Sequence, residues 1–221
     1  MPEFDLVIRN GTIATASDVF PGDVGIVGGQ VVALGRGLGA GAEEIDATGK
    51  LVLPGGIDSH THIEEPRGGP TVNADSFSSG SASAAVGGTT TVIGFARQER
   101  GGSIAEGVAE HMDRARQSRI DYSFHMILTD PRPEIVAEEL PKLVAAGYRS
   151  FKIFLTYAGA RVTDGQALEV MAAARRLGAL VCIHAEHHEL IEFHTKALLI
   201  SAVLLLPMVP LGARGDLRRF A

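Results

Sequence analysis

Leu51–Glu65 reads LVLPGGIDSHTHIEE. Leu51, Val52, Leu53 and Ile57 lead, as apolar or β-branched positions, into His60 and His62. In an extended strand alternate side chains share a face, so the two imidazoles point the same way. A histidine pair at the end of a buried strand is a start on a divalent metal site. The same spacing occurs at ordinary polar strand ends, so the surrounding chain has to decide.

Downstream the chain alternates strand and helix. Asp75–Val86 predicts a helix capped by Asn73 or Asp75 and ended by Gly87-Gly88. Thr89–Phe95 (TTTVIGF) is a β-branched strand. Ser103–Ser118 predicts a helix, with Ser103 and Glu106 at capping-box spacing. Tyr122–Leu128 is a strand, and Pro133–Ala146 a helix that opens on proline and closes at Gly147. Ser150–Thr156 is a strand, Thr163–Leu177 a helix closed by Gly178, Leu180–Ala185 a strand and His188–Leu199 a helix. About five β–α units in succession demand a parallel sheet with helices outside. A closed barrel and a doubly wound sheet both satisfy that rhythm. No Gly-x-Gly-x-x-Gly follows the first strand, which weighs against a dinucleotide site. A barrel places function at the C-terminal strand ends. Those positions hold His60 and His62, then Lys152, then His184.

Upstream, residues 1–50 read as short hairpins with no helix, a small sheet or part of a sandwich. Asp5–Arg9 ends at Asn10-Gly11, a two-residue hairpin signal, and Thr12–Ala14 returns. Asp23–Val27 and Gln30–Leu34 flank a second such signal, Gly28-Gly29.

The 221 residues are 45% hydrophobic and 21% charged, the balance of a globular protein rather than a disordered one. A net charge of −6 argues against binding nucleic acid through phosphate neutralisation. Cys182 is the single cysteine, so no internal disulfide framework exists. The start, MPEFDLVIRNG, shows no secretory signal, which makes the cytoplasm the default expectation. Ala197–Ala213 is apolar but interrupted by Pro207 and Pro210, and it is shorter than the ~20 residues a span needs. No membrane partner is expected.

Lys152 carries the strongest chemical signal. In Ser150–Thr156 the side chains of Phe151, Ile153 and Leu155 face one way, and those of Lys152, Phe154 and Thr156 the other. A lysine inside a buried strand is costly unless it is paired or chemically changed. One reading is a lysine that snorkels out or meets a carboxylate. The other is an amine kept neutral by burial and carboxylated by carbon dioxide, giving an anion able to bridge two divalent ions. His184 ends LVCIHAE, with Cys182 on the same face as a small core residue. His187, His188 and His194 read as surface histidines, and His125 either faces the barrel interior or packs in the sheet.

Five motifs in order carry a family resemblance: PGGIDSHTHI (Pro54–Ile63), GGTTTVIGF (Gly87–Phe95), DYSFHMILTD (Asp121–Asp130), SFKIFLTY (Ser150–Tyr157) and VCIHAE (Val181–Glu186). Over about residues 4–196 the chain resembles the amidohydrolase superfamily, and within it the cyclic amidases, dihydropyrimidinase and D-hydantoinase. The resemblance implies an α/β fold, a (β/α)8 TIM-like barrel of the amidohydrolase type, here incomplete at about five units. A small β-sandwich portion precedes it. It implies two divalent metal ions, zinc being usual, bridged by N6-carboxylated Lys152. His60 and His62 would hold the first ion and His184 the second. Tyr157 would hydrogen-bond the substrate and help stabilise the oxyanion, so Tyr157 and Lys152 are the candidate catalytic residues. The loop Glu64–Asn73 would cover the substrate's exocyclic group. The implied reaction is hydrolysis of a small cyclic amide, a dihydropyrimidine or hydantoin, to an N-carbamoyl amino acid. The full-length family implies a homo-oligomer, commonly a tetramer.

Related dihydroorotases resemble His-x-His followed closely by an arginine. Here Glu64 stands two after His62, and Arg67 comes later beside Gly68-Gly69, which favours neutral ring substrates over a dihydroorotase reading, while allantoinase and dihydroorotase stay as alternatives within the superfamily. The resemblance also implies a further metal-binding histidine and an aspartate beyond His184. After Lys196 there is no histidine, and the only aspartate is Asp216 in RGDLRRFA. The composition shifts near Ala197–Ser201, as a changed reading frame or truncation would produce. The organisation expected is 1–52 for the start of a small β-sandwich domain, 53–196 for the first part of the barrel, and 197–221 for an atypical tail. A chain so built is expected to be poorly soluble or to need a partner, and to be inactive alone. The alternative is a non-catalytic dihydropyrimidinase-like assembly module, but retention of His60, His62, Lys152 and His184 favours the enzyme.

Overall fold

A computed structural model describes residues 2–65 and 73–205. They fall into two compact units, Met1–Ile57 with Gly88–Thr90, and Asp58–Gly87 with Thr91–Ala221. The expectations placed on residues 66–72 (Arg67, Gly68, Gly69 and most of the covering loop) and on residues 206–221 (Pro207, Pro210, Asp216) lie outside the described residues.

The first unit is a sheet of β1 (Phe4–Ala14), β2 (Val19–Val27), β3 (Gln30–Gly35), β4 (Gly41–Asp46) and β5 (Leu51–Val52). Its order is β3-β2-β1-β4, with β5 also on β1. β2 pairs antiparallel with β1 and β3, whereas β4 and β5 pair parallel with β1. Gly28 and Gly29 have φ of 58° and 75° and form the two-residue hairpin turn the sequence predicts. Asn10-Gly11 does not turn. β1 runs through it, with Asn10 at φ 59° and a register shift between Ile8 and Gly11. Asn-Gly favours positive φ, and a β-bulge uses that freedom as readily as a hairpin does. Gly11 is also required sterically, because a Cβ there would lie 2.5 Å from the Val52 side chain.

Buried Asp23 latches this bulge. Its carboxylate accepts from the backbone N–H groups of Asn10 (2.9 Å), Gly37 (2.9 Å) and Leu38 (3.3 Å), and the Arg9 guanidinium lies 3.7 Å away. The Asn10 N–H first, then those of Leu38 and Gly37, hold the Asp23 carboxyl below its ordinary value. Arg9 also grips Glu44 through two nitrogens, which with the Gly41 N–H lowers that carboxyl to about 2.

The second sheet runs β10-β9-β8-β7-β6. Its strands are β6 (Gly56–Asp58), β7 (Thr89–Arg97), β8 (Asp121–Ile127), β9 (Ser150–Phe154) and β10 (Leu180–His184). β7 to β10 pair parallel in sequence order. A doubly wound sheet reverses its strand order at a switch point, and this one does not. Consecutive parallel strands with helical returns are the wall of a β/α barrel over about five units. The helices are α1 (Phe77–Val86), α2 (Ile104–Ala115), α3 (Leu140–Ala145), α4 (Asp164–Leu177) and α5 (His188–Leu205). Phe124, Met126, Phe151 and Ile153 from the strands are buried against Ile104, Leu140 and Val170 from the helices. Each such side chain contributes about 1.5–3 kcal/mol by leaving water.

Local chemistry moves several helix ends. α1 begins at Phe77 with Ser76 as cap in a reciprocal box with Ser79, and the Glu64 carboxylate accepts the Phe77 N–H at 2.8 Å. Ser103 caps α2, but Glu139 reaches the same helix start, accepting from Ser103 Oγ (2.7 Å) and the Ala105 N–H (3.1 Å). The helix expected over Pro133–Ala146 begins at Pro133 and carries a π turn at Ile135–Glu139 that leads into α3. Pro141 sits in the first turn of α3, and its missing N–H and ring bulk prevent a continuous α-helix there. α4 is capped by Thr163 in a reciprocal box with Gln166 and ends, as predicted, at left-handed Gly178. α5 continues to Leu205, beyond the predicted end at Leu199. Among the described residues no helix is long and apolar enough to cross a membrane.

Where β7 and β8 end, fully buried Gln98 joins them. Its side-chain oxygen accepts from Thr129 N (3.1 Å) and Asp130 N (3.0 Å), and its amide donates to Gly102 O and Asp130 O, both at 3.0 Å. Replacing it with an apolar group strands four backbone partners, the Thr129 N–H fully buried and the Gly102 and Asp130 groups partly so. Gln98→Leu is expected to destabilise the protein by about 3 kcal/mol or more, read as a lowered urea midpoint. For Asp23 the folded value lies below the unfolded one. The stability it contributes is therefore complete above the unfolded value, about 4, and is lost as pH falls through the lower folded value. Asp23→Asn is expected to flatten the dependence of unfolding free energy on pH below about 4.

Candidate metal centre

The C-terminal ends of the parallel strands enclose a cavity of about 880 Å³. His60, His62, Lys152, Tyr157 and His184 all line it. The sheet alternation explains the convergence. Phe151 and Ile153 face the helices, so Lys152 must face the cavity, where it is only 7% exposed. Its amine lies 4.9 Å from the Phe154 ring centre, and among the described residues it has no carboxylate partner.

His60 and His62 lie beyond β6 rather than on it. Asp58 Oδ1 accepts the His60 N–H at 3.0 Å, an Asx-type turn that ends the strand. Extended pairing resumes where Thr61 N donates to Ile93 O at 3.3 Å, which keeps alternate side chains on one side. The two rings stand 5.5 Å apart, each 4.7 Å from the Phe95 ring. Burial first, then the neighbouring His62, Lys152 and His125, holds His60 below the usual imidazole value. It is therefore neutral near pH 7, as a metal ligand must be.

Two carboxylates that the sequence reading passed over engage the other imidazoles. Glu65 pairs with His62 Nδ1, leaving Nε2 for a ligand. Glu186 lies 2.7 Å from His184 Nε2, and the Tyr157 hydroxyl 3.2 Å from the same nitrogen. Their signal was acid spacing, three residues after His62 and two after His184. Phe95, Arg97 and Glu99 also reach the cavity from the end of β7 and the turn after it.

The remaining candidates separate cleanly. His125 faces inward at the base, its Nε2–H donating to Ser59 O (2.8 Å) and its Nδ1 accepting from the Ser150 hydroxyl (2.6 Å). It is a structural pin with both nitrogens occupied. Cys182 pairs in register with Lys152 and lines a lower recess with His125. His188 Nδ1 is 3.3 Å from the Thr156 hydroxyl, and His187 and His194 are exposed. His111, unremarked in the sequence, is buried and neutral, with Nδ1 on Gly107 O (2.9 Å) and Nε2 facing Arg114 (3.1 Å).

Imidazoles and a convertible lysine suit a borderline divalent ion in kind. In number they are sparse. Among the described residues no three or more His, Cys, Asp or Glu side chains are grouped to hold a metal. A carboxylated Lys152 would add the oxygen donor that the set lacks.

With the geometry established, the relatives are informative. The Amidohydrolase family profile matches residues 51–204. The D-hydantoinase of Geobacillus stearothermophilus is 42% identical over 194 residues, covering 86% of this chain and 41% of that protein. The dihydropyrimidinase of Arabidopsis thaliana is 40% identical over 186 residues, 82% of this chain and 34% of that protein. A crystal structure of dihydropyrimidinase from Brevibacillus agri superposes with a TM-score of 0.84 at 41% identity, covering 88% of this chain and 43% of that one. The chain thus spans about two fifths of the D-hydantoinase's length, 41%.

Tyr157 is held at φ 69°, a left-handed conformation costly to any residue with a Cβ. Its carbonyl accepts from Ala160 N (2.8 Å) and Arg161 N (2.9 Å), which fixes the turn. Tyr157→Gly is expected to be more stable than Tyr157→Ala by about 1 kcal/mol, since both remove the ring and only glycine relieves the backbone. Parallel thermal melts measure the difference.

Proposed function

The chain belongs to the amidohydrolase family, and from that premise we propose that it forms the first part of a metal-dependent cyclic-amide hydrolase acting on hydantoins or dihydropyrimidines. Members of the family are generally metal-dependent. The observation that carries the reading is the convergence of His60, His62, Lys152, Tyr157 and His184 on one cavity at the strand ends. Relatives named D-hydantoinase and dihydropyrimidinase support the substrate class.

In this reading His60, His62, His184 and N6-carboxylated Lys152 are the residues that would hold two divalent ions. The carbamate forms when the Lys152 amine attacks carbon dioxide and loses a proton. Two zinc ions so held would supply Lewis acidity and hydroxide near neutral pH. The residues of the chain do the rest. Glu65 fixes the tautomer and orientation of His62. Phe95 and Phe154 wall the cavity and limit water. The Tyr157 hydroxyl donates to the carbonyl oxygen as negative charge builds on it. Ring opening yields an N-carbamoyl amino acid. The expected site is cytoplasmic and the expected assembly a homo-oligomer of the completed fold.

The test is a fusion of residues 1–196 to the complementary remainder of the Geobacillus stearothermophilus D-hydantoinase. Supplied with zinc and bicarbonate, it should open hydantoin and 5,6-dihydrouracil, and Lys152→Ala should lower turnover at least about a hundredfold and release bound zinc. A fusion that folds with native-like circular dichroism, binds no zinc and opens neither ring would sink the proposal.

A further inference from the structure

Arg97 ends β7 and reaches the same cavity as Lys152. In the sheet register Arg97 pairs with Ile127, and Ile127 with Lys152, so all three stand at one level on neighbouring strands. Neighbouring strands lie about 4.8 Å apart, which puts the two backbones about 10 Å from each other. That distance accommodates a five- or six-membered ring plus a short substituent.

The guanidinium is almost unengaged. Among the described residues its one hydrogen bond runs to the Gly159 carbonyl at 3.5 Å, the weak limit for such a contact. Nearby arginines are paired, Arg161 with Glu189 at 2.9 Å and Arg132 with Glu134 at 3.3 Å. Among the described residues Arg97 has no carboxylate partner. Of the two acids lining the cavity, Glu65 is committed to His62, and Glu99 is exposed. A guanidinium offers five N–H donors in a planar fork whose best complement is a carboxylate. An arginine lining a cavity with its donors open is a recognition group in want of an anion.

We infer that Arg97 makes this site select cyclic amides that carry a carboxylate-bearing substituent, such as a ring with a carboxymethyl arm. The inference rests on the cyclic-amide reading above and narrows its substrate class. One end of the substrate lies at Lys152 and the histidines; the anionic arm lies along the cavity wall to Arg97. Glu99 opposes the arm and sets how strongly it is held.

The experiment measures binding to the full 221-residue chain, loaded with zinc, by titration calorimetry. The probes are hydantoin, hydantoin-5-acetate and the neutral hydantoin-5-acetamide. The acetate should bind about tenfold tighter than the acetamide, and the advantage should shrink with added salt. Arg97→Gln should remove the preference, and Arg97→Lys should keep part of it. If hydantoin binds and Lys152→Ala weakens it, but the acetate and acetamide bind alike, the arginine inference falls while the cyclic-amide reading stands. If no probe binds to the folded, zinc-loaded chain, the arginine inference falls, and the cyclic-amide reading is decided by the fusion.

Discussion

The pleat of β9 governs the site. Five residues, Ser150–Phe154, are buried or half-buried, and Phe151 and Ile153 fill the layer between sheet and helices. Alternation leaves Lys152 nowhere to go but the interior of the curved sheet. Shifting β9 by one residue would place an ammonium among Phe124, Met126 and Val170, at a cost of several kcal/mol. The apolar outer face therefore fixes the register, and the register delivers the amine to the cavity. The pairings Arg97 with Ile127, Ile127 with Lys152 and Lys152 with Cys182 then set the level of each neighbour.

Much of this was legible from residue order because strand and helix signals agreed along most of the chain. β-branched runs bounded by glycine gave the strands. Gly178 closed α4 as its left-handed freedom requires. The failures have physical causes. Asn10-Gly11 asks for positive φ, and sequence cannot say whether a turn or a bulge will supply it. The bulge won because β2 and the parallel strands β4 and β5 all pair along β1, and Asp23 satisfies the freed N–H. Pro133 starts the helix as read, and the π turn inside it follows from Pro141, which takes an N–H out of the ladder.

At the site, the residues with metal-type side chains were legible and their supports were not. Glu65 and Glu186 lack any motif beyond proximity, and they matter only because the chain bends to bring them onto His62 and His184. Arg97 was hidden for a different reason. A reader looking for a carboxylate-binding arginine searches just after the histidine pair, where Glu64 stands and instead caps the start of α1. The cation arrives from β7, a different strand, and only the three-dimensional register places it opposite Lys152.

The chain also carries costs that the rest of its structure does not offset. On α5, Leu190, Phe193, Leu198, Leu199 and Ile200 are exposed, as is Leu180 on the edge strand β10. Parallel sheets are ordinarily covered on both faces, and free edges with apolar side chains favour association. Lys152 is a cost of another kind, a nearly buried amine facing an arginine and three histidines across one cavity, with no carboxylate partner among the described residues. In the proposed chemistry carboxylation would reverse its sign, because a carbamate is an anion with two oxygens, able to neutralise bound cations instead of adding to them. Tyr157, held at φ 69° beside His184, follows the same logic on a smaller scale. Both residues lower the stability of the fold that carries them, and both lie where the proposed chemistry would recover that cost.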